Sequence, residues 1–104
     1  MNQEWENIRT RLLTLPSHFH STKTVELLDL CIDSDKLKLL EPSISLGRLR
    51  LSLTDWNNNS CSEYGCFYFY NGKYVVSNYD NTQKYFFEKD IDAIVFFENR
   101  MPLG

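Results

Sequence analysis

The stretch Phe67-Tyr-Phe-Tyr-Asn-Gly-Lys-Tyr-Val-Val76 constrains the fold of this chain more than any other part of the sequence. Asn71-Gly72 is a preferred pair for the centre of a type I′ turn, where both residues need positive φ angles. The residues on either side are aromatic or β-branched, as is typical of strands. The sequence therefore predicts a two-residue hairpin with a fixed register. Its cross-strand pairs are Tyr70–Lys73, Phe69–Tyr74, Tyr68–Val75 and Phe67–Val76.

This register gives the hairpin aromatic residues on both of its faces. One face carries Phe67, Phe69, Tyr74 and Val76, and the other carries Tyr68, Tyr70, Lys73, Val75, Ser77 and Tyr79. A core on one side of the sheet accounts for the first set only. We therefore expect the tyrosine set to meet solvent, another layer or a partner.

Two amphipathic helices are predicted before the hairpin. Between Glu4 and Leu15 the apolar residues are spaced three and four apart, which is the helical period, and Pro16 ends the segment. A second segment, Val25 to Ile32, has the same period and an apolar face broad enough to be well buried.

Alternation with a period of two follows these helices. The apolar residues Ile44 and Leu46 lie at even-numbered positions, whereas Leu49, Leu51 and Leu53 lie at odd-numbered positions. The alternation therefore shifts by one residue at Gly47. We interpret this shift as a β-bulge at Gly47, which would place all five apolar side chains on one face of the sheet. The polar stretch from Trp56 to Ser62 predicts a loop.

The end of the sequence is ambiguous after a further predicted strand at Lys84 to Glu88. Asp90 to Phe97 fits a helix capped at Asp90, but its β-branched and aromatic residues favour a strand from Ala93 to Glu98, which we prefer. Helices followed by strands are the order of an α+β domain. We predict a single domain, residues 1–104, in which two N-terminal helices pack on an antiparallel meander of about five strands.

The charge of −3 comes entirely from the second half of the chain. Residues 51–104 hold the acids Asp55, Glu63, Asp80, Glu88, Asp90, Asp92 and Glu98 against the bases Lys73, Lys84, Lys89 and Arg100. Without a basic cluster the chain is unsuited to nucleic acid. Its aromatic strand is similar to that of an RNA-recognition module but lacks the basic residue and the glycine of that motif.

The polar residues predict no metal site, no cofactor and no enzymatic activity. His18 and His20, like Cys61 and Cys66, lack the spacing of a structural zinc site, and the glycines are isolated rather than grouped in a phosphate loop. Asp90 and Asp92 are more typical of a solvated edge than of an acid–base pair. Three cysteines and no apolar stretch of membrane-spanning length predict a cytoplasmic protein without a membrane partner.

The tyrosines and the acids near them are the strongest functional feature that remains. We predict a partner-binding surface suited to a basic protein. Its residues are Asp55, Trp56, Glu63, Tyr68, Tyr70, Tyr79, Asp80, Asp90 and Asp92.

In size, charge and order of elements the chain resembles the immunity proteins of bacterial toxin systems, including contact-dependent growth inhibition. The resemblance implies that it occludes a cognate basic toxin domain, expected to be a nuclease, as a monomer or weak homodimer. The alternative is a small adaptor, or a homodimer in which the tyrosine face pairs with itself.

Overall fold

Two helices precede five strands in the computed structural model, and a third helix follows them. The structure describes residues 3–16, 21–55 and 57–100. The elements are α1 (Gln3–Leu13), α2 (Ser21–Asp33), a 3-10 turn (Leu37–Leu39), β1 (Glu41–Ser45), β2 (Arg48–Asp55), β3 (Ser60–Tyr70), β4 (Lys73–Ser77), β5 (Lys84–Phe87) and α3 (Asp90–Arg100).

The strands form one antiparallel sheet in the order β1-β2-β3-β4-β5. This order is a meander, so the predicted α+β fold with two N-terminal helices on the sheet is confirmed. The hairpin register is also confirmed, with all four predicted pairs in place. Asn71 and Gly72 have φ angles of 53° and 79°, as a type I′ turn requires.

Helices α1 and α2 lie where the spacing of their apolar residues predicted them. Trp5 and Leu12 of α1 are buried, as are Leu27 and Leu28 of α2. The indole N–H of Trp5 donates to the carbonyl of Lys38 at 3.3 Å, which ties α1 to the 3-10 turn. The helices therefore present one continuous apolar layer to the sheet.

The predicted bulge at Gly47 is wrong, because Leu46 and Gly47 form the turn of a second hairpin. Their φ angles are 52° and 77°, and Ser45 pairs directly with Arg48. Across a two-residue turn, an even-numbered residue of one strand faces an odd-numbered residue of the other, so Ile44 and Leu49 are cross-strand partners on one face. Leu46 itself is exposed at the turn instead of joining that face. Leucine is unusual at positive φ, which hid the turn from sequence analysis.

The predicted strand from Ala93 to Glu98 is also wrong, since these residues belong to α3. Ala93, Ile94 and Phe97 are buried at helical spacing, and the ring of Phe97 lies 4.7 Å from that of Phe67. The two acids of the first turn and Arg100 in the last turn suit the helix dipole. Packing on the sheet thus outweighs the strand preference of this segment. The sheet still has five strands because residues 41–55 supply two of them.

The core lies between the three helices and one face of the sheet. Leu49, Leu51, Phe67 and Val76 contribute fully buried side chains from the strands. We call this side the helix-covered face and the opposite side the outer face.

Candidate functional site

The outer face carries the tyrosine set of the central hairpin. Alternation along β3 places Cys66, Tyr68 and Tyr70 on this side, opposite Ser77, Val75 and Lys73 of β4. The same alternation adds Arg48 and Arg50 from β2 and Phe86 from β5.

One end of the outer face is covered by the connection between β4 and β5, residues 78–83, which we call the covering loop. Asn78 shapes this loop, because its side-chain oxygen accepts hydrogen bonds from the backbone N–H groups of Thr82 (2.9 Å) and Gln83 (3.0 Å). Its amide nitrogen donates to the hydroxyl of Thr82 at 2.8 Å. Asn81 adopts a φ of 62°, which asparagine tolerates better than most residues.

Two side chains of the sheet hold the covering loop in place. The guanidinium of Arg50 donates to the carbonyl of Tyr79 at 3.2 Å, and the hydroxyl of Tyr68 donates to the side-chain oxygen of Asn81 at 3.0 Å. Cys66 and Ser77, the cross-strand pair at this end, are buried although they lie on the outer face. The loop therefore makes a small second layer that the sequence did not predict.

The other end of the outer face exposes aromatic rings. Tyr70 is 63% exposed and Phe86 54%, and Tyr79 on the covering loop itself is 50% exposed. Tyr68 is only partly exposed, with the guanidinium of Arg48 5.0 Å from the centre of its ring. We call Tyr68, Tyr70, Tyr79 and Phe86 the aromatic face.

Charges of both signs surround the aromatic face, and several of them pair within the chain. Arg50 lies 3.8 Å from Glu63, and Lys73 lies 2.7 Å from Glu88. The hydrogen bond from Lys73 lowers the pKa of Glu88. Burial raises the pKa of Tyr68, while Arg48 and Asn81 act in the opposite direction. At neutral pH this tyrosine is therefore neutral and able to donate its proton in a hydrogen bond.

The structure brings together only some of the predicted site residues. Glu63 reaches the outer face through Arg50, and Asp80 directly follows Tyr79, where its carboxylate accepts a hydrogen bond from the hydroxyl of Thr82 at 2.8 Å. Asp90 and Asp92 begin α3, in the helical layer on the opposite side of the sheet. Asp55 is described only by its backbone, at the end of β2, and Trp56 lies outside the described residues.

Sequence analysis missed two exposed apolar residues near this surface. Phe86 shares its face with Lys84 and Glu88 and alternates with Tyr85 and Phe87, so its side of the strand was predictable. That it lies beside Val75 and Tyr68 follows only from the pairing of β4 with β5. Leu46 is 78% exposed at the tip of the first hairpin. Its only signal in the sequence was the shift of the alternation at Gly47.

Other candidate chemistries find little support among the described residues. No group of three or more potential metal ligands lies close together there, and His18 and His20 lie outside the described residues. Burial raises the pKa of the Cys31 and Cys66 thiols, which opposes the thiolate form that a nucleophile needs. A groove of about 450 Å³ between α2 and α3 is lined by Leu30, Asp33, Ser34, Asp35, Lys36, Ile91, Ile94 and Glu98.

Comparison of the chain with protein-family models, curated proteins and solved structures finds no match. Within the residues that the structure describes, no helix combines the length and the apolar character needed to cross a membrane. Function must therefore be inferred from the surface of the molecule.

Proposed function

We propose that this chain is a protein-binding domain and acts as an immunity protein that occludes a basic toxin domain of the nuclease class. The observation that carries the proposal is the aromatic face, where Tyr70, Tyr79 and Phe86 are each at least half exposed. Tyrosine is enriched where proteins bind one another, since it offers a large apolar ring and a polar tip. Rings of this kind supply the desolvated area that slows dissociation of a complex.

The framework beneath these rings favours binding with little loss of entropy. Tyr68 is held between the guanidinium of Arg48 and the side chain of Asn81. Tyr79 follows Asn78, whose three hydrogen bonds fix the covering loop. A surface that is ordered before binding avoids part of the ordering cost that binding would otherwise carry.

The charges support a basic partner more through long-range attraction than through a ring of acids around the aromatic face. The chain has a net charge of −3. Glu63 contacts Arg50 and Glu88 contacts Lys73 on the outer face, and Asp80 lies on the covering loop beside Tyr79. Glu88 is 82% exposed even in its pair with Lys73, so a second cation can reach it. We therefore expect association to be faster at low salt. The free thiols of Cys31, Cys61 and Cys66 are compatible with action in the cytoplasm.

A binding assay against purified, catalytically inactive nuclease toxin domains of high pI tests this proposal. The variant Tyr70→Ala, Tyr79→Ala should bind at least about tenfold more weakly and should no longer inhibit the active nuclease. The matched control is Leu13→Ala, Leu39→Ala, which removes exposed apolar side chains from the helical side of the molecule.

Three results would contradict the proposal. The first is the absence of binding to any basic toxin domain, and the second is an association rate that does not change between low and high salt. The third is an equal loss of affinity in the tyrosine variant and the leucine control.

A further inference from the structure

The outer edge of β5 is open to pairing in the part of the chain that the structure describes. β5 ends the sheet on one side, as β1 does on the other. Exposed strand edges attract other strands, so proteins usually protect them. β1 contains Pro42, which has no N–H to offer, whereas β5 (Lys84–Phe87) contains no proline and pairs with β4 without a bulge.

The ladder between β4 and β5 decides which backbone groups of β5 point away from the sheet. The N–H of Asn78 donates to the carbonyl of Gln83 at 3.2 Å. Bonded and non-bonded positions then alternate along an antiparallel ladder, so every second residue of β5 directs its N–H and C=O outward. The outward residues are Lys84, Phe86 and, directly after the strand, Glu88.

We propose that β5 pairs with β5 of a second copy of this chain, antiparallel and centred on Phe86, so that one sheet runs through both copies. In this register Phe86 faces Phe86 of the second copy, and Lys84 faces Glu88 of the second copy. Each facing pair joins residues whose backbone groups point outward, as hydrogen bonding across the edge requires. Each charged pair also joins opposite charges on the same face, which stabilises strand pairing.

The other registers that place outward-pointing residues opposite each other lose the two charged pairs. A two-fold axis perpendicular to the sheet can pass through a residue whose backbone groups point outward or through the residue between two of them, because in both cases outward-pointing residues face each other. Centring the pair on Lys84 would bring two lysines face to face, and centring it on Glu88 would do the same for two glutamates. Centring it on Tyr85 or Phe87 would instead set Phe86 opposite Lys84 or Glu88, so only the register centred on Phe86 joins opposite charges.

The side chains of the edge suit this arrangement. Phe86 is 54% exposed in the single chain, so pairing with its copy would remove apolar area from water. On the helix-covered side, Tyr85 and Phe87 pack on the ring of Phe96 at 4.6 and 5.2 Å, and the pairing would continue this aromatic row into the second copy. Because the paired edge is short, we expect dissociation in the micromolar range or weaker.

Charge exchange between positions 84 and 88 tests the register directly. Wild-type protein should show a concentration-dependent dimer in sedimentation velocity. Lys84→Glu alone and Glu88→Lys alone should each raise the dissociation constant at least about tenfold, since like charges then face each other. A mixture of the two variants should form a heterodimer, because opposite charges face each other again. Arg11→Glu in α1 makes the same change of charge elsewhere and should leave the dimer unaffected.

Hydrogen exchange of the wild-type chain gives a second measurement that needs no variant. The amide of Phe86 should become protected as concentration rises, whereas that of Ile44, which points outward from the opposite edge, should not change. A chain that stays monomeric at high concentration would overturn the inference. So would a dimer that survives both single charge changes, or protection of Phe86 that requires a different protein. No toxin takes part in these tests, so their result is independent of the proposed function.

Discussion

The two faces of the sheet differ in what covers them. Three helices pack apolar side chains on the helix-covered face and bury Leu49, Phe67 and Val76 completely. The outer face is covered at one end only, by a loop held through a few hydrogen bonds to Arg50 and Tyr68. Burial of apolar area stabilises a fold in proportion to that area, whereas each hydrogen bond adds little net free energy. The helix-covered face therefore contributes most of the stability of the fold, whereas the outer face leaves Tyr70 and Phe86 at least half exposed.

Alanine substitution of two aromatic residues of β3, one on each face, should show most clearly how much each face contributes to stability. Phe67→Ala removes a fully buried ring that lies 4.7 Å from Phe97, and should lower the free energy of unfolding by about 3–5 kcal/mol. Tyr70→Ala, three residues later on the outer face, should change it by only about 0.5 kcal/mol, because the ring is mostly in water. Urea unfolding followed by circular dichroism measures both values. Comparable losses in the two variants would show that Tyr70 belongs to the core.

The covering loop should contribute less stability than the helices. Asn78→Ala removes three hydrogen bonds at a residue only 6% exposed, and should lower the free energy of unfolding by about 2 kcal/mol. The same change should loosen the loop over Cys66.

Thiol labelling can follow that loosening directly. In a Cys61→Ser background, which removes the exposed thiol, Cys66 should react faster in the Asn78→Ala variant, while Cys31, buried in the core on α2, should not. The Thr82→Ala variant, which loses only the bond from the amide of Asn78 and the one to Asp80, serves as the milder comparison. Unchanged labelling of Cys66 would mean that the loop does not protect it.

The hydroxyl of Tyr74 gives the helix-covered face a pH-dependent contact. It donates to the carboxylate of Glu26 at 2.6 Å, and burial, followed by this bond, raises the pKa of Tyr74. When the folded-state pKa exceeds the unfolded value of about 10, the stabilisation is complete below that value and is lost as pH rises through the folded pKa. Tyr74→Phe should therefore cost about 1 kcal/mol near neutral pH, and its deficit relative to wild type should shrink above about pH 10.

Urea unfolding of both proteins at neutral and alkaline pH checks this expectation. Other groups titrate in the same range, including Tyr68, but they are common to wild type and variant and cancel in the difference. A deficit that stays constant with pH would show that Tyr74 makes no proton-linked contribution.

Local patterns predicted the parts of the fold that depend on neighbouring residues. Asn71-Gly72 predicted both a turn and a register, because a two-residue turn fixes which residues pair across the strands. The spacing from Trp5 to Leu12 predicted a helix, because it matches the helical period. The prediction of a strand after Asp90 failed, because these residues form a helix that packs on Phe67, which is distant in sequence. No local pattern reports such a contact.

The candidate site was predictable to a similar extent. Alternation correctly placed Tyr68 and Tyr70 on one side of β3. The positions of the acids expected around them could be predicted only from the path of the chain in three dimensions. Asp90 and Asp92 lie in the helical layer because residues 90–100 form a helix. The covering loop was equally hidden, since Asn78 fixes it through contacts that a list of turn-forming residues does not reveal.

The exposed turn at Leu46 tests whether the outer face is shaped by binding rather than by stability. A leucine at a φ of 52° is strained, and its side chain is 78% exposed, so the fold gains little from it. Leu46→Asn should raise the free energy of unfolding by about 1 kcal/mol, because asparagine adopts this conformation more readily. Asn71→Leu in the second hairpin is the reverse change and should cost a similar amount. A loss of stability on Leu46→Asn would mean that the side chain packs on the protein. A gain accompanied by weaker partner binding would place Leu46 beside the aromatic face in the contact surface.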